Sequence, residues 1–270
     1  MQEEQKFLES YSTDDYPRPS VTADIVVFKI RSQGTDNFRK DPENKLSLLL
    51  IRRGAHPYKD HWALPGGFLA PEETIEECAL REVEEETRVV PASLMSIGLF
   101  STPGRDPRGW IISNAFVSVI GSTEETQQHG DDAADAQWFD VRFDRDEKGE
   151  YLLELTHDDV HIRARLKEEK SLFGMSSFRI VDSGSVAFDH AAIIGRALSA
   201  LRNGAKDFDF IFDFLPEKFT LTELQNVQET IMNISILSAN FRRKVAGLVE
   251  ETDEYTEGAG HRPAKLYRRK

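Results

Sequence analysis

Residues 67–89 carry acidic side chains at a spacing that restricts how this part of the chain can fold. The segment reads GFLAPEETIEECALREVEEETRV, and in it Glu82, Glu85 and Glu86 follow Arg81 at helical intervals. On an α-helix, side chains three and four positions apart share one face, with their Cβ atoms about 5–6 Å apart. Like charges at this spacing cost roughly 0.2–0.5 kcal/mol per pair, so the pattern predicts a helix whose three carboxylates converge on a positive charge.

The chemistry of these glutamates suits a hard divalent cation. Carboxylate oxygens are preferred ligands of Mg²⁺ and Mn²⁺, and Mg²⁺ commonly keeps several waters and binds substrate phosphates as well. The three glutamates therefore predict a Mg²⁺ or Mn²⁺ site. A solvated acidic helix face is the alternative that a run of glutamates alone leaves open.

The residues around the glutamates make the pattern more specific, because the whole segment resembles the Nudix box. In that box a Gly is followed after five residues by Glu, and after seven more by Arg-Glu, an apolar residue, any residue and Glu-Glu. The matching positions are Gly67, Glu73, Arg81, Glu82, Val83, Glu85, Glu86 and Val89. The resemblance implies that the three helix glutamates bind Mg²⁺ against a diphosphate, that Gly67 lies beside this ligand, and that Glu73 and Arg81 complete the catalytic set by holding the shape of the loop.

One position departs from the box, since its last Gly is Arg88 in this chain. That Gly normally ends the helix in a left-handed conformation, which costs another residue roughly 1–2 kcal/mol. Either the turn at Arg88 is strained or the helix ends differently.

The composition is that of a globular chain with room for two domains. Its 270 residues exceed one average domain, and 39% of them are hydrophobic. No apolar run approaches the ~20 residues that cross a bilayer, and the polar start does not resemble a secretory signal, so we expect a cytoplasmic protein. The single cysteine, Cys78, is expected to be buried and structural. The net charge of -13 argues against indiscriminate binding to nucleic acid.

The order of predicted elements indicates a mixed α/β fold. Predicted strands are 21–30, 46–53, 94–100, 110–120, 137–141, 151–155 and 162–166, with a polar loop at 31–44 and an exposed turn at 142–150. A second helix is predicted for 188–201, ended by Asn203-Gly204. We divide the chain into an N-terminal arm (1–20), a Nudix α/β/α sandwich with a mixed sheet (21–204) and a C-terminal domain (205–270).

The C-terminal domain is predicted to be a winged helix-turn-helix. Its parts are a short helix around 208–215 that Pro216 stops, a helix through Leu224, Val227 and Ile231 with Thr220 or Thr222 as its cap, a third helix at 239–245 after Ser238, and two strands at 248–254 and 265–268 around a turn at 257–263. In such folds the third helix usually enters the DNA major groove.

Basic residues gather on this third helix and on the wing. The candidate DNA-binding residues are Asn240, Arg242, Arg243, Lys244, Arg262, Lys265 and Arg268. Consecutive cations on a helix project to different sides, so one can read base edges while its neighbours hold phosphates. A tail that only aids solubility is the alternative for the last three residues. Motif and charge together favour binding of double-stranded DNA.

Four further segments are similar to those of the Nudix-related transcriptional regulators of NAD metabolism, the NrtR family. They are PGRDPRG at 103–109, FTLTELQ at 219–225, NFRRK at 240–244 and RPAKLYR at 262–268. The resemblance implies a Nudix domain that senses ADP-ribose or a related NAD metabolite, and a winged helix that represses operons as a homodimer.

The first of these segments supplies candidate ligand contacts. Arg105 and Arg108 can bind phosphate through bidentate hydrogen bonds, with Asp106 orienting one of them or a ribose hydroxyl. An ordinary polar loop is the alternative, and the family resemblance favours the ligand site.

Aromatic and histidine residues are weaker candidates for contact with the nucleotide. Trp62, Phe68 and Trp110 could stack on adenine, although aromatic residues at strand positions more often belong to the core. His61 and His190 are expected to be buried, hydrogen-bonded residues rather than sensors or bases.

Two functions remain open at this point. The chain is either a DNA-binding regulator that binds an effector nucleotide, or a Nudix hydrolase that cleaves ADP-ribose to AMP and ribose 5-phosphate with Mg²⁺ held by the glutamates. The intact glutamates are compatible with hydrolysis, whereas a hydrolase without a regulatory role does not need a basic winged helix. The sequence therefore favours the regulator.

Overall fold

A computed structural model of the chain describes residues 2–12, 15–33, 43–91, 93–121, 136–169, 176–208, 210–256 and 263–270. The helices are α1 (Gln2–Ser10), α2 (Ile75–Thr87), α3 (His190–Asp207), α4 (Leu221–Met232) and α5 (Ser238–Val245), with a 3-10 turn at Ile211–Phe214. The strands are β1 (Ser20–Gln33), β2 (Glu43–Arg52), β3 (Trp62–Ala63), β4 (Gly66–Phe68), β5 (Met95–Phe100), β6 (Ile111–Ile120), β7 (Ala136–Arg145), β8 (Tyr151–His157), β9 (Val160–Glu169), β10 (Ser177–Asp182), β11 (Val249–Tyr255) and β12 (Lys265–Arg269). Within these ranges no helix is long and apolar enough to span a bilayer.

One large mixed sheet forms the framework of the first domain. Its main strand order is β10-β9-β8-β7-β2-β1-β6-β5, with β3 paired to β2 and β4 paired to β1. Strands β1 and β6 run parallel, and the other neighbouring strands are antiparallel. This arrangement confirms the predicted mixed sheet and brings the ends of β1, β2 and β4 to one region.

Helices cover both faces of this sheet, which makes the predicted α/β/α sandwich. Alternate residues of β1 point to opposite faces, as the period of two for a strand requires. On one face Ala23, Ile25 and Val27 pack with Cys78, Ala79 and Val83 of α2. On the other face Val26 and Phe28 share a core with Ile194, Ala197, Leu198 and Leu201 of α3.

Helix α2 has a defined start and a strained end. The Thr74 hydroxyl accepts a hydrogen bond from the Glu77 amide, and the Glu77 carboxylate accepts one from the Thr74 amide, so both ends of a capping box are made. The helix ends at Arg88, which adopts the left-handed conformation with φ 57° and ψ 15°. Of the two alternatives left by the sequence, the structure therefore has the strained turn.

Replacing Arg88 by glycine is expected to raise the free energy of unfolding by about 0.5–1 kcal/mol, because glycine adopts this conformation without a Cβ clash while losing more backbone entropy. Urea denaturation measures the change. Asn233→Gly is the matched control, since Asn233 ends α4 in the same region of φ and ψ but asparagine tolerates it. An equal or larger gain at Asn233 would contradict the strain at Arg88.

Helix α3 ends later than the sequence predicts. The helix does not stop at Asn203-Gly204 but continues to Asp207 and ends at Phe208, which has φ 67°. Gly204 serves a packing role instead, because a Cβ at this position would lie 2.4 Å from ring atoms of Phe210. The division between 204 and 205 thus falls inside a continuous helix.

Other predicted boundaries also shift. The N-terminal arm contains the exposed helix α1, which the sequence did not predict. The turn predicted for 142–150 is shorter, since β7 extends to Arg145 and pairs with Tyr151 of β8.

The C-terminal domain has the predicted winged-helix elements. The short first helix is a 3-10 turn, and α4 begins with a capping box between Thr220 and Glu223, so Thr220 and not Thr222 is the cap. Ser238 is the first residue of α5 and Leu237 is its N-cap. Strands β11 and β12 form the antiparallel wing, and the turn predicted between them lies mostly outside the described residues.

Candidate functional site

The loop before α2 is held by an ion pair between Arg81 and Glu73. The Arg81 guanidinium donates to both Glu73 oxygens, with Nε–Oε2 at 3.0 Å and Nη2–Oε1 at 2.7 Å, and the Ala70 amide donates to Glu73 Oε1 at 2.8 Å. The hydrogen bonds from Arg81 are the largest cause that lowers the pKa of Glu73 to about 2. This geometry matches the loop-holding role that the box implies for the two residues.

The three box glutamates do not gather at one point. Arg81 Nη1 donates to Glu82 Oε1 at 2.7 Å and to Glu85 Oε2 at 3.4 Å, while Glu86 turns away and accepts from the Gly66 amide at 3.0 Å. Among the described residues, no three His, Cys, Asp or Glu side chains are placed to hold a metal ion. The predicted convergence is corrected for a physical reason: like charges separate and take other partners, here Arg81 and a backbone amide.

Two of these glutamates nevertheless suit a hard cation. Burial is the largest cause that raises the pKa of Glu86 to about 7, and the charge of Glu82 adds to the rise. The Glu82 carboxylate lies so close to the loop that a Cβ on Gly67 would be 2.2 Å from its Cδ. A cation between Glu82 and Glu86 would offset the repulsion between their charges, whereas Glu85, whose side chain is 62% exposed, would need another rotamer to join them.

Glu86 makes the stability of the metal-free protein depend on pH. Its pKa is higher in the folded chain than the ordinary value of 4.5, so the folded state loses stability as pH rises from about 4.5 to about 7. Glu86→Gln removes this charge while keeping an oxygen for the Gly66 amide. We expect the variant to be more stable than the parent by about 2–3 kcal/mol at pH 8 in EDTA, and by little at pH 4.5.

Denaturant unfolding at the two pH values measures this difference. Glu85→Gln is the control on the exposed side of the same helix, and it should change stability little at either pH. A Glu86→Gln gain of equal size at pH 4.5 and pH 8 would contradict the burial of a charged carboxylate.

A pocket of about 160 Å³ lies beside the box loop. Its walls come from β1, the end of β2, β4, the 105–108 loop and the start of α3. The charged and aromatic residues that line it are Asp24, Arg53, Phe68, Arg105, Asp106, Arg108, Phe188 and His190, and both Gly66 and Gly67 contribute backbone.

Arg108 is held rigidly at this pocket. Its Nε lies 3.0 Å from Asp106 Oδ1 and its Nη2 lies 2.7 Å from Asp106 Oδ2, and Asp106 is only 4% exposed. The guanidinium also lies 5.1 Å from the ring centroid of Phe68 and 5.4 Å from that of Phe188. Asp106 therefore orients an arginine, as the sequence suggested, and that arginine is Arg108.

A second cation faces the same space. Burial lowers the pKa of Arg53, and the nearby positive charge of Arg108 lowers it further. Arg53 and Arg108 thus place two positive charges beside an open pocket, which suits the binding of an anion.

Arg105 is engaged inside the protein instead of facing solvent. Its side chain is 5% exposed and donates to Asp189 with Nε–Oδ2 at 2.8 Å and Nη2–Oδ1 at 2.6 Å, while Asp24 Oδ2 lies 3.5 Å away. Of the two arginines predicted to bind phosphate, both are paired with an aspartate, but only Arg108 is exposed to the pocket, with 41% of its side chain accessible.

The prediction of buried histidines is confirmed for His190 and wrong for His61, which is only partly buried, with its Nδ1 3.2 Å from the Lys59 carbonyl oxygen. The cysteine prediction is confirmed, and the aromatic candidates differ in where they lie. His190 is buried, its Nδ1 accepts from the Leu64 amide at 2.9 Å, and its Nε2 lies 3.6 Å from Asp24 Oδ1. Cys78 is buried, and burial raises the pKa of its thiol to about 11. Among the three aromatic candidates Phe68 lines the pocket, whereas Trp62 packs against Phe139 in the core with ring centroids 4.8 Å apart.

Sequence reasoning missed Asp24, Arg53, Phe188 and Asp189. They come from three separate places in the chain, and each lay within or beside a predicted strand or helix with nothing to mark it as functional. Phe188 carries a signal only in the structure, where it has φ 52° immediately before α3.

The second candidate site is the exposed face of α5. Phe241 and Val245 are buried and anchor the helix, and Asn240, Arg242, Arg243 and Lys244 are exposed. Arg243 Nη2 donates to Asn240 Oδ1 at 3.3 Å. Lys244 differs from its neighbours, because its Nζ donates to the main-chain carbonyl of Lys206 at 2.9 Å and lies 5.0 Å from the Phe208 ring centroid.

The wing is less basic than its second strand suggested. Lys265 Nζ lies 2.7 Å from Glu251 Oε2, and Arg268 pairs with Glu250. These acids belong to β11 and face the cations across the hairpin. Arg262 lies outside the described residues.

Comparisons with protein families match both domains. The NUDIX domain matches residues 15–149, and the NrtR DNA-binding winged helix domain matches residues 211–269. Among curated proteins, the ADPR responsive transcriptional repressor NtrR of Acinetobacter baylyi is 30% identical over 98% of this chain and 88% of its own length. An ADP-ribose pyrophosphatase of Methanocaldococcus jannaschii is 39% identical over 47% of this chain and 64% of its own length.

Solved structures share the whole architecture. A MutT/nudix family protein from Enterococcus faecalis gives a TM-score of 0.73 at 29% identity and covers 100% of this chain and 93% of that chain. Shewanella oneidensis NrtR complexed with a 27mer DNA gives a TM-score of 0.60 at 26% identity, covering 93% of each chain. Since both domains match in order and one relative aligns along nearly the full length, the chain belongs to the NrtR family of Nudix-related transcriptional regulators.

Proposed function

We propose that this protein is a DNA-binding transcriptional regulator whose Nudix domain binds ADP-ribose, or a related NAD-derived nucleotide, as its effector. The observation that carries the proposal is one chain that holds both an arginine-lined pocket beside a Nudix box and an exposed basic helix in a winged helix. The relative from Acinetobacter baylyi, described as ADPR responsive and as a repressor, supports the same pairing of effector and output.

The pocket suits a diphosphate joined to a sugar. Arg108 is held by Asp106 in a fixed orientation and Arg53 lies nearby, so two guanidinium groups can meet phosphate oxygens. Phe68, which is 44% exposed, and Phe188 offer ring faces at the same opening. This combination favours a nucleoside diphosphate over a simple inorganic anion.

The exposed side of α5 suits double-stranded DNA. We propose that Asn240, Arg242 and Arg243 contact DNA directly, with Lys265, Arg268 and Arg262 contributing from the wing. The pairing of Lys265 and Arg268 with acids of β11 makes their contribution smaller than that of the helix.

We further propose that the regulator acts as a homodimer in the cytoplasm. One chain presents one recognition helix, and two such helices bind half-sites about one helical turn apart, so that a change in their spacing prevents simultaneous binding. Sedimentation of the protein with its duplex gives the stoichiometry, and a single chain per duplex would contradict the dimer.

Calorimetry with ADP-ribose and selection of duplexes from a random-sequence library test the two halves of the proposal. We expect saturable binding of ADP-ribose and enrichment of a two-fold symmetric duplex. Failure to bind ADP-ribose or related NAD-derived nucleotides would contradict the effector, and a library that shows no enrichment would contradict the regulator.

Hydrolysis of ADP-ribose is the second candidate function. Two observations favour it: the box glutamates are intact, and part of the chain is similar to an ADP-ribose pyrophosphatase. In that case Glu82, Glu85 and Glu86 would hold Mg²⁺ or Mn²⁺, which when bound neutralises the charge of a diphosphate. Arg81 and Glu73 would keep the loop in place, and Gly67 would let the ligand approach the backbone.

Glu86→Gln is expected to abolish Mg²⁺-dependent release of AMP from ADP-ribose, if the parent protein releases any. Nucleotide products separated by chromatography give the result. No turnover of ADP-ribose by the parent protein, with Mg²⁺ or Mn²⁺ present, would reject the hydrolase and leave the regulator unaffected.

A further inference from the structure

Helix α3 begins in the pocket and ends against the recognition helix. It contains 18 residues, which corresponds to about 27 Å at 1.5 Å per residue. Most of its inward-facing residues, from Ala191 to Ala205, are fully buried between the sheet and the winged helix. Because it is rigid and packed on both sides, a displacement at one end is passed to the other.

The N-terminal end of α3 is tied to the pocket by charge. Asp189 is the N-cap residue, yet its side chain makes no capping hydrogen bond. Both of its oxygens are used by Arg105, which lines the pocket beside Arg108. A phosphate that drew Arg105 away would release the Asp189 carboxylate toward the first turn of α3, where the His190 and Ala192 amides already donate to the carbonyls of Ala187 and Asp189 and the Ala191 amide is the remaining donor in reach of an N-cap side chain.

The C-terminal end of α3 is tied to the winged helix by hydrogen bonds. The last carbonyls of a helix lack partners within it. Gln228 Nε2 of α4 donates to the Ala205 carbonyl at 2.8 Å, and Lys244 Nζ of α5 donates to the Lys206 carbonyl at 2.9 Å. The cation on Lys244 also suits the negative end of the α3 dipole. Two helices of the DNA-binding domain thus depend on where α3 ends.

We infer that α3 couples the effector pocket to the recognition helix, and that Lys244 is the positioning residue that holds α5 to α3. This inference rests on the proposed function, since it needs an effector at one end and DNA at the other. Effector binding moves α3 through the Arg105–Asp189 pair, and the bonds from Gln228 and Lys244 carry the movement to α5. Lys244 therefore differs in role from Arg242 and Arg243, although the three are consecutive.

The test measures coupling as a ratio: the Kd for the selected duplex with saturating ADP-ribose divided by the Kd without it. Coupled sites commonly differ by a factor between about 5 and 150, and we expect the parent protein to fall in this range. Lys244→Met should bring the ratio below about two while calorimetry still detects ADP-ribose binding. The ratio does not depend on the DNA affinity that the variant starts from.

Lys218→Met is the matched control. It also removes one lysine from the winged helix, but Lys218 pairs with Glu254 of β11 and not with a carbonyl of α3. Its ratio should stay within twofold of the parent value. A parental ratio in Lys244→Met would overturn the inference, and so would complete loss of duplex binding, because that would make Lys244 a DNA contact.

Asp189→Asn tests the other end of α3 at a distance from the DNA. It keeps a side chain that can cap the helix but removes the charge that holds Arg105. We expect its ratio also to fall below about two, with ADP-ribose still bound, and a parental ratio would overturn the role of the N-terminal end. If the parent protein binds no ADP-ribose at all, the proposed function fails. If it binds both ADP-ribose and the duplex but the ratio is one, the coupling through α3 fails while both binding sites stand.

Discussion

Arg242→Ala is expected to weaken binding to the selected duplex by about 5- to 150-fold, which corresponds to roughly 1–3 kcal/mol for an arginine that reads a base or holds a phosphate. Arg242 is exposed on α5, while Phe241 and Val245 fix the helix from its buried side. The loss should therefore come from a missing contact and leave the fold intact. Fluorescence anisotropy over a range of salt concentrations measures it.

The salt dependence of DNA affinity distinguishes a phosphate contact from a base contact. If Arg242 neutralises a phosphate, the slope of log affinity against log salt should become shallower by about 0.9. If it reads a base edge, the slope should stay while the preference at one base pair relaxes. Arg179→Ala, on the edge strand β10 and paired with Glu169, is the control. Equal losses in the two variants, or none in Arg242→Ala, would contradict the assignment of α5.

Arg108→Ala should lower the affinity for ADP-ribose by about 10- to 150-fold, because charge-assisted hydrogen bonds contribute roughly 1.5–3 kcal/mol. Arg108 is the accessible arginine of the pocket, and its partner Asp106 leaves part of the guanidinium available. Isothermal titration calorimetry with ADP-ribose gives the affinity directly. Arg108→Lys should recover only part of it, since an ammonium group cannot make the bidentate contact.

Two controls accompany this prediction. Arg145→Ala removes an exposed arginine from the β7–β8 hairpin, away from the pocket, and should leave the affinity for ADP-ribose unchanged. Circular dichroism of Arg108→Ala checks that the buried Asp106, left without its partner, does not unfold the loop. A folded Arg108→Ala protein that binds ADP-ribose as tightly as the parent would show that the effector lies elsewhere.

The local parts of the molecule were predictable from the sequence because their signals are short in range. The Nudix box predicts α2 and the Glu73–Arg81 pair, since a helix fixes the spacing of its own side chains. The winged helix follows from Pro216, the Thr220 cap and the apolar spacing of α4. Strand alternation in β1 gives both faces of the sandwich.

The parts that the sequence did not reveal depend on contacts between distant residues. Arg105 appears free in the sequence, yet Asp189 lies opposite it 84 positions later and occupies it. Lys265 appears to add charge to the wing, but Glu251 on the paired strand offsets it. Glu85 and Glu86 share a helical face with Glu82, but Arg81 and the Gly66 amide draw the carboxylates apart. The spacing of residues along one helix or strand does not show which distant residues will pair with them.

The most direct test of the account titrates ADP-ribose into a preformed complex of the full-length protein with its selected duplex, in EDTA, and analyses the nucleotide afterwards. We predict that the duplex is released as ADP-ribose saturates the protein and that the nucleotide is recovered intact, because binding and not turnover carries the signal. By the reciprocity of linked sites, the duplex must weaken ADP-ribose binding by the same factor. A duplex that stays bound while calorimetry shows a saturated pocket would contradict the account.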